Sequence, residues 1–132
     1  MIKVKDLLKD QKVLKSASAP SSPAISVILP TYSRYKTGSL ERAVNSVLAQ
    51  DFEDFEFLIM DDGSSDGSSE FIEKIRAGDP RVIHVRHEHN CGLPALRVNE
   101  GIELSKGQYI AFQFDDDLWK RTALTNLLAE HK

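Results

Sequence analysis

Three short polar clusters carry the residue types that could do chemistry: Pro30-Thr31-Tyr32, Asp61-Asp62-Gly63 and Asp115-Asp116-Asp117. The last is the most demanding. Two carboxylates ~4 Å apart repel by ~1 kcal/mol in bulk water but by ~4 kcal/mol at an effective dielectric of ~20, so three acids in a cleft call for a cation. An all-oxygen donor set suits Mg²⁺ or Mn²⁺ rather than zinc. A planar ring beside a carboxylate, with such an ion close by, would suit a nucleotide diphosphate. Tyr32 could then stack on a base, Asp62 could accept from a ring N–H, and the metal could hold the diphosphate. Simpler alternatives stand beside these: Asp62-Gly63 is also turn chemistry, and Asp117 could cap a following helix.

Each cluster follows an apolar run. Ile25–Leu29 reads as a buried strand closed by Pro30, Phe55–Met60 as a second, Arg81–Arg86 as a shorter third, and Tyr109–Phe114 as a fourth, buried on both faces. Between them the period changes. Leu40, Ala43, Val44, Val47 and Leu48 form a helical stripe, as do Phe71, Ile72 and Ile75, and Gly78-Asp79-Pro80 ends the second helix. Cys91, Ala95, Val98, Ile102 and Ser105 line one face of a third helix, where Gly101 implies a close packing contact; Ala123, Leu124, Leu127 and Leu128 mark a fourth. The order βαβαβαβα predicts an α/β fold: an open, mostly parallel sheet flanked by helices, with right-handed crossovers. Parallel strands bring all three clusters to one sheet edge, and a reversal of strand order between the first and fourth strands would gather them in one crevice.

The remaining sequence narrows the function. A chain of 132 residues with 41% hydrophobic and 28% charged residues suits one folded unit. A net charge of -3 gives no electrostatic case for nucleic acid. The single cysteine, Cys91, fits a reducing compartment, and no apolar run approaches the ~18 residues of a membrane span. Residues 1–23 are expected to form an N-terminal surface helix and a Ser/Pro-rich linker, and residues 24–132 the folded domain. His87, His89 and Cys91 make a His-x-His-x-Cys pattern, but no partner cluster completes four zinc ligands, so a loop into the third helix is expected there. His84 is expected to be half-buried on its strand. Neither a Gly-x-Gly-x-x-Gly turn nor a Gly-x-x-x-x-Gly-Lys-Ser/Thr loop follows the first strand.

Four segments resemble the nucleotide-binding half of a family 2 glycosyltransferase with the GT-A, Rossmann-like fold. They are Ile25–Tyr32, Ala43–Gln50, Met60–Gly67 (Met-Asp-Asp-Gly-Ser-Ser-Asp-Gly) and Gly107–Phe112 with the aspartate triplet, which is similar to the family's DxD metal motif. The resemblance implies a strand order of 3-2-1-4. It implies nucleotide-binding roles for Pro30, Thr31, Tyr32, Asp62 and Asp115, the last near the ribose, and metal binding by Asp116 or Asp117. Aligned on Trp119, the family's usual first acid falls on Phe114, which leaves the metal-binding aspartate open. Arg97 lies near a basic-polar segment of the family at a spacing one residue too long, and is not assigned to a phosphate.

The implied activity is inverting transfer of a sugar from a nucleotide-diphosphate donor, a UDP-sugar for preference, to a hydroxyl of a saccharide or lipid-linked acceptor. Mn²⁺ or Mg²⁺ would assist, and the general base would lie outside this chain. The chain would be the donor-binding part of a longer enzyme, inactive or weakly active alone, ending after the fourth βα unit. It is expected to be cytoplasmic, the full-length form at the inner membrane face. A metal-dependent nucleotidyltransferase would want a Gly/Lys-rich phosphate loop, for which Arg34 and Lys36 substitute poorly. A receiver-type signalling module would want its acidic pair after the first strand.

Overall fold

The computed structural model describes residues 10–130. Five strands and four helices follow in the order β1 (Lys12–Leu14), β2 (Ile25–Thr31), α1 (Ser39–Leu48), β3 (Phe55–Asp61), α2 (Ser68–Gly78), β4 (Val82–Arg86), α3 (Pro94–Leu104), β5 (Tyr109–Phe112) and α4 (Ala123–Glu130). The sheet order is β1-β4-β3-β2-β5, parallel throughout except for β1, which runs antiparallel to β4. The four strands read from the sequence are β2 to β5, and their order, β4-β3-β2-β5, places the reversal at β2 as expected.

Alternation along β2 and β3 sorts the core onto two faces. Ile25, Val27 and Leu29 pack with Phe55, Phe57 and Ile59 against Leu40, Val44 and Val47 of α1, Ile72 of α2 and Leu124 of α4. The opposite face holds Ile28, Leu58, Met60, Ile83 and Val85, with Leu104 of α3 against them. Here Gly101 is needed: a Cβ at this position would stand 2.8 Å from Ile28 Cγ2, so α3 lies close enough to β2 to leave no room for one.

Four expectations are corrected. Residues 12–14 form strand β1 rather than part of a helix; the rest of that expected helix, residues 1–9, lies outside the described residues. Pro30 does not close its strand, because β2 runs on to Thr31 in register with Asp61 of β3. Gln113 donates its N–H to the Ile28 carbonyl, so even-numbered residues of β2 turn their backbone groups toward β5. Beside Pro30 that strand has already ended at Phe112, and the missing N–H costs no ladder bond. The fourth predicted strand is shorter than read and is not buried on both faces: β5 is a sheet edge, and Phe112 is exposed. Lastly, α3 turns inward Arg97, Glu100 and Gly101 rather than the face of Ala95 and Ile102, which are exposed.

Candidate functional site

At the reversal point a cavity of about 230 Å³ opens at the carboxyl ends of β2, β3 and β5. Five residues singled out from the sequence line it together: Pro30, Thr31, Tyr32, Asp62 and Asp115. Arg34, Pro94, Arg97 and Phe114 complete the lining. Asp116 and Asp117 are absent from it and sit exposed on the following turn. Asp117 accepts the N–H of Leu118 with its side chain and a bond from Gln113 Nε2 with its carbonyl. It stands well ahead of α4, and so does not cap that helix.

Tyr32 is carried on a loop whose shape is locked by its neighbour. Ser33 N–H donates to Ser64 Oγ at 2.8 Å and Ser65 N–H to Ser33 Oγ at 3.2 Å, while Asp66 accepts the N–H of Tyr35. Tyr35 in turn stacks on Phe71 of α2. The loops after β2 and β3 therefore behave as one unit, and Tyr32 is left 44% exposed over the cavity with its ring available for stacking.

The paired acids at the end of β3 divide by strand alternation. Asp61 turns to the α2 face, where its Oδ1 accepts the Ser64 N–H and its Oδ2 lies 3.5 Å from Nε2 of His84. His84 is fully buried rather than half-buried, its Nδ1 3.1 Å from Glu73 of α2. Burial works against ionisation of Asp61, yet bonds with His84 and Ser64 hold its carboxyl below the usual aspartate value. Asp61 is thus a structural tie.

Asp62 turns to the cavity. Its Oδ1 accepts Arg97 Nε at 2.8 Å and the Cys91 N–H at 3.1 Å, and its Oδ2 accepts the Gly92 N–H at 3.1 Å. A carboxylate offers roughly four acceptor directions, so one on Oδ2 remains for a ligand N–H. Arg97 is 1% exposed and reaches Glu100 with Nη1 at 3.6 Å. Glu100 accepts from Nε2 of His87 at 2.8 Å, and Nδ1 of His87 lies 2.9 Å from Asp10. Burial disfavours the imidazolium, but Glu100 and Asp10 push the His87 value above the ordinary one. These buried partners of Asp62 were missed because the helix carrying Arg97 and Glu100 was read by its apolar stripe. The usable signal was the opposite charges at i and i+3 beside Gly101.

On the facing wall, Asp115 accepts from Thr31 Oγ1 at 3.0 Å, and Arg34 Nε lies 3.9 Å away. Burial, reinforced by the neighbouring Asp116, pushes the Asp115 carboxyl above its ordinary value. Among the described residues no group of three or more His, Cys, Asp and Glu side chains could hold a metal ion by itself. His87, His89 and Cys91 lie on the loop ahead of α3, so Cys91 is not part of the helical face read from the sequence. The chain does offer a carboxylate destabilised by burial with a second acid adjacent. That fits Mg²⁺ or Mn²⁺, which bind through one or two carboxylates and take their remaining ligands from substrate phosphates and water.

The family model for glycosyl transferase family 2 matches residues 26–132. The chain is 32% identical over 106 residues to the GalNAc(5)-diNAcBac-PP-undecaprenol beta-1,3-glucosyltransferase of Campylobacter jejuni, covering 80% of this chain and 34% of that protein. It is 36% identical over 112 residues to the putative colanic acid biosynthesis glycosyl transferase WcaA of Escherichia coli, covering 85% of this chain and 39% of the relative. The chain thus spans about a third to two fifths of these relatives. The crystal structure of Staphylococcus aureus TarS 1-349 in complex with UDP-GlcNAc superposes with a TM-score of 0.71 at 30% identity, over 80% of this chain and 30% of that one. The mannosyltransferase PcManGT of Pyrobaculum calidifontis, in complex with GDP-Man and Mn²⁺, superposes with a TM-score of 0.70 over 95% of this chain and 36% of that one. At 22% identity it speaks to the fold alone.

Proposed function

The chain belongs to glycosyl transferase family 2, and from that membership we propose that it is the donor-binding part of an enzyme that transfers a sugar from a nucleotide diphosphate, UDP for preference, to a hydroxyl acceptor. The nucleotidyltransferase and receiver-type readings have no observation in their favour. The observation that carries the proposal is the single cavity lined by Pro30, Thr31, Tyr32, Asp62 and Asp115, gathered from three separate strand ends.

Each wall suits one part of the donor. Tyr32 presents its ring to stack on the base, and the free acceptor direction of Asp62 takes a base N–H. Asp115, which accepts from Thr31, would take a hydrogen bond from a ribose hydroxyl. Arg97 and the two loop N–H groups hold the Asp62 carboxylate in place, so the base meets a preset acceptor. Asp115 with Asp116 or Asp117 would hold Mn²⁺ or Mg²⁺. When bound, that ion stabilises the negative charge gathering on the departing diphosphate. The inverting course, a saccharide or lipid-linked acceptor, a general base supplied from outside this chain, and a cytoplasmic site of action at the membrane face belong to the same proposal. Among the described residues no helix is long and apolar enough to cross a membrane.

The test is calorimetric titration of UDP and UDP-sugars into the 132-residue chain, with Mn²⁺ and with chelator. Binding that strengthens with the metal and is lost in Asp62→Ala is expected. No metal-dependent UDP binding at millimolar concentration would remove the proposal.

A further inference from the structure

Building on the reading of Asp62 as the group that meets the base, we propose that Asp10, ahead of the family-matched residues 26–132, is a positioning residue for the nucleotide site. Strand β1 delivers it. Lys12 pairs with Arg86 and Leu14 with His84, and continuing that antiparallel register by two residues sets Asp10 opposite Glu88. There its carboxylate accepts the N–H groups of Glu88 at 3.0 Å and His89 at 3.1 Å. The loop that starts at these residues ends at Cys91 and Gly92, whose N–H groups bind Asp62. Between the two grips the loop lies on Gly63, where a Cβ would come within 2.6 Å of the backbone of His89 and Asn90. One carboxylate therefore fixes the start of the loop and the other reads its end.

A second connection runs through side chains. Both ring nitrogens of His87 face carboxylate oxygens, Asp10 at 2.9 Å and Glu100 at 2.8 Å, so the ring donates at both ends. Glu100 faces Arg97, and Arg97 binds Asp62. Signs alternate from Asp10 to Asp62, and His87, Glu100, Arg97 and Asp62 are all buried. Removing the charge at Asp10 leaves His87 half-partnered and slackens the loop start, and both changes reach the Asp62 carboxylate.

The test compares Asp10→Asn with Lys12→Ala, a substitution at an exposed position on the same strand, in the 132-residue chain well below its unfolding temperature. Two quantities are read: amide exchange at Cys91 and Gly92 without nucleotide, and affinity for UDP and for uridine in Mn²⁺. Asp10→Asn is expected to speed both amides and to weaken UDP and uridine by the same factor, about tenfold for a lost charge-assisted bond, while Lys12→Ala changes neither. Equal loss for both ligands is the signature, because Asp62 serves the base and not the diphosphate. Faster exchange with unchanged affinity overturns the proposal and leaves Asp10 a structural staple. Wild-type binding that Asp10→Asn leaves intact overturns it too, without touching the nucleotide reading. A wild-type chain that binds neither UDP nor uridine overturns both.

Discussion

The two walls of the cavity are built on opposite terms. The Asp62 wall is finished before any ligand arrives: the residue is 5% exposed, its carboxylate already has three donors, and its guanidinium partner is deeper still. The Asp115 wall is unfinished, with burial and Asp116 pushing its acid up and two further carboxylates in solvent. A preset wall selects, because its geometry is settled in advance. An unfinished wall waits for what the ligand brings, in the proposed reading a cation and a diphosphate. Base recognition and metal recruitment would then be separable properties of one pocket.

That contrast can be broken by substitution. Arg97→Ala takes the buried cation from between Asp62 and Glu100, leaving Asp62 only its two loop N–H donors, and is expected to destabilise the fold by about 3–5 kcal/mol, read from urea unfolding, with loss of uridine binding. A loss below about 1 kcal/mol would mean that the wall is not preset. Gly63→Ala follows. The residue sits at φ 71° with backbone 2.6 Å from the added Cβ, and a cost of about 1–3 kcal/mol is expected from the same unfolding curves.

Acidity sharpens the comparison from another side. His87 is raised, so the stability it contributes is complete below its unfolded value near 6.5 and is lost as the pH climbs through the higher folded value. Burial opposes ionisation of Asp10, but hydrogen bonds with His87 and His89 bring its carboxyl down to about 2, so its contribution is lost only as pH falls from 3.8 toward that value. Urea midpoints should therefore drop as the pH rises above about 6.5, and His87→Gln should flatten that decline. The smallest effect belongs to the other wall. Asp116→Ala should leave stability within about 0.5 kcal/mol while removing the Mn²⁺-dependent part of UDP affinity. Retained metal dependence would move the cation to Asp115 and Asp117.

How far these walls could be read in advance depended on what held them. Continuous apolar runs separated by helical stripes exposed β2 to β5, the crossovers and the reversal, because a buried parallel sheet demands them. Tyr32, Asp62 and Asp115 were visible as polar residues placed where those runs stop. Strand β1 was not, since three residues with one charged side chain carry almost no period. The inward face of α3 misled for a different reason: Arg97 and Glu100 go inside because they meet Asp62 and His87, partners brought in by distant chain. Opposite charges neutralised by tertiary contacts look like solvent-facing residues to any reading based on hydrophobicity.

Cys91 turns this architecture into an instrument. The chain's sole thiol sits on the strapped loop, its backbone pinned to Asp62, and burial pushes its thiol up, so little thiolate is present at neutral pH. Its alkylation by a maleimide should be sluggish while the strap holds and quicken whenever it opens. A reagent bottle and a stopwatch can then follow the breathing of the Asp62 wall without any labelling mutation.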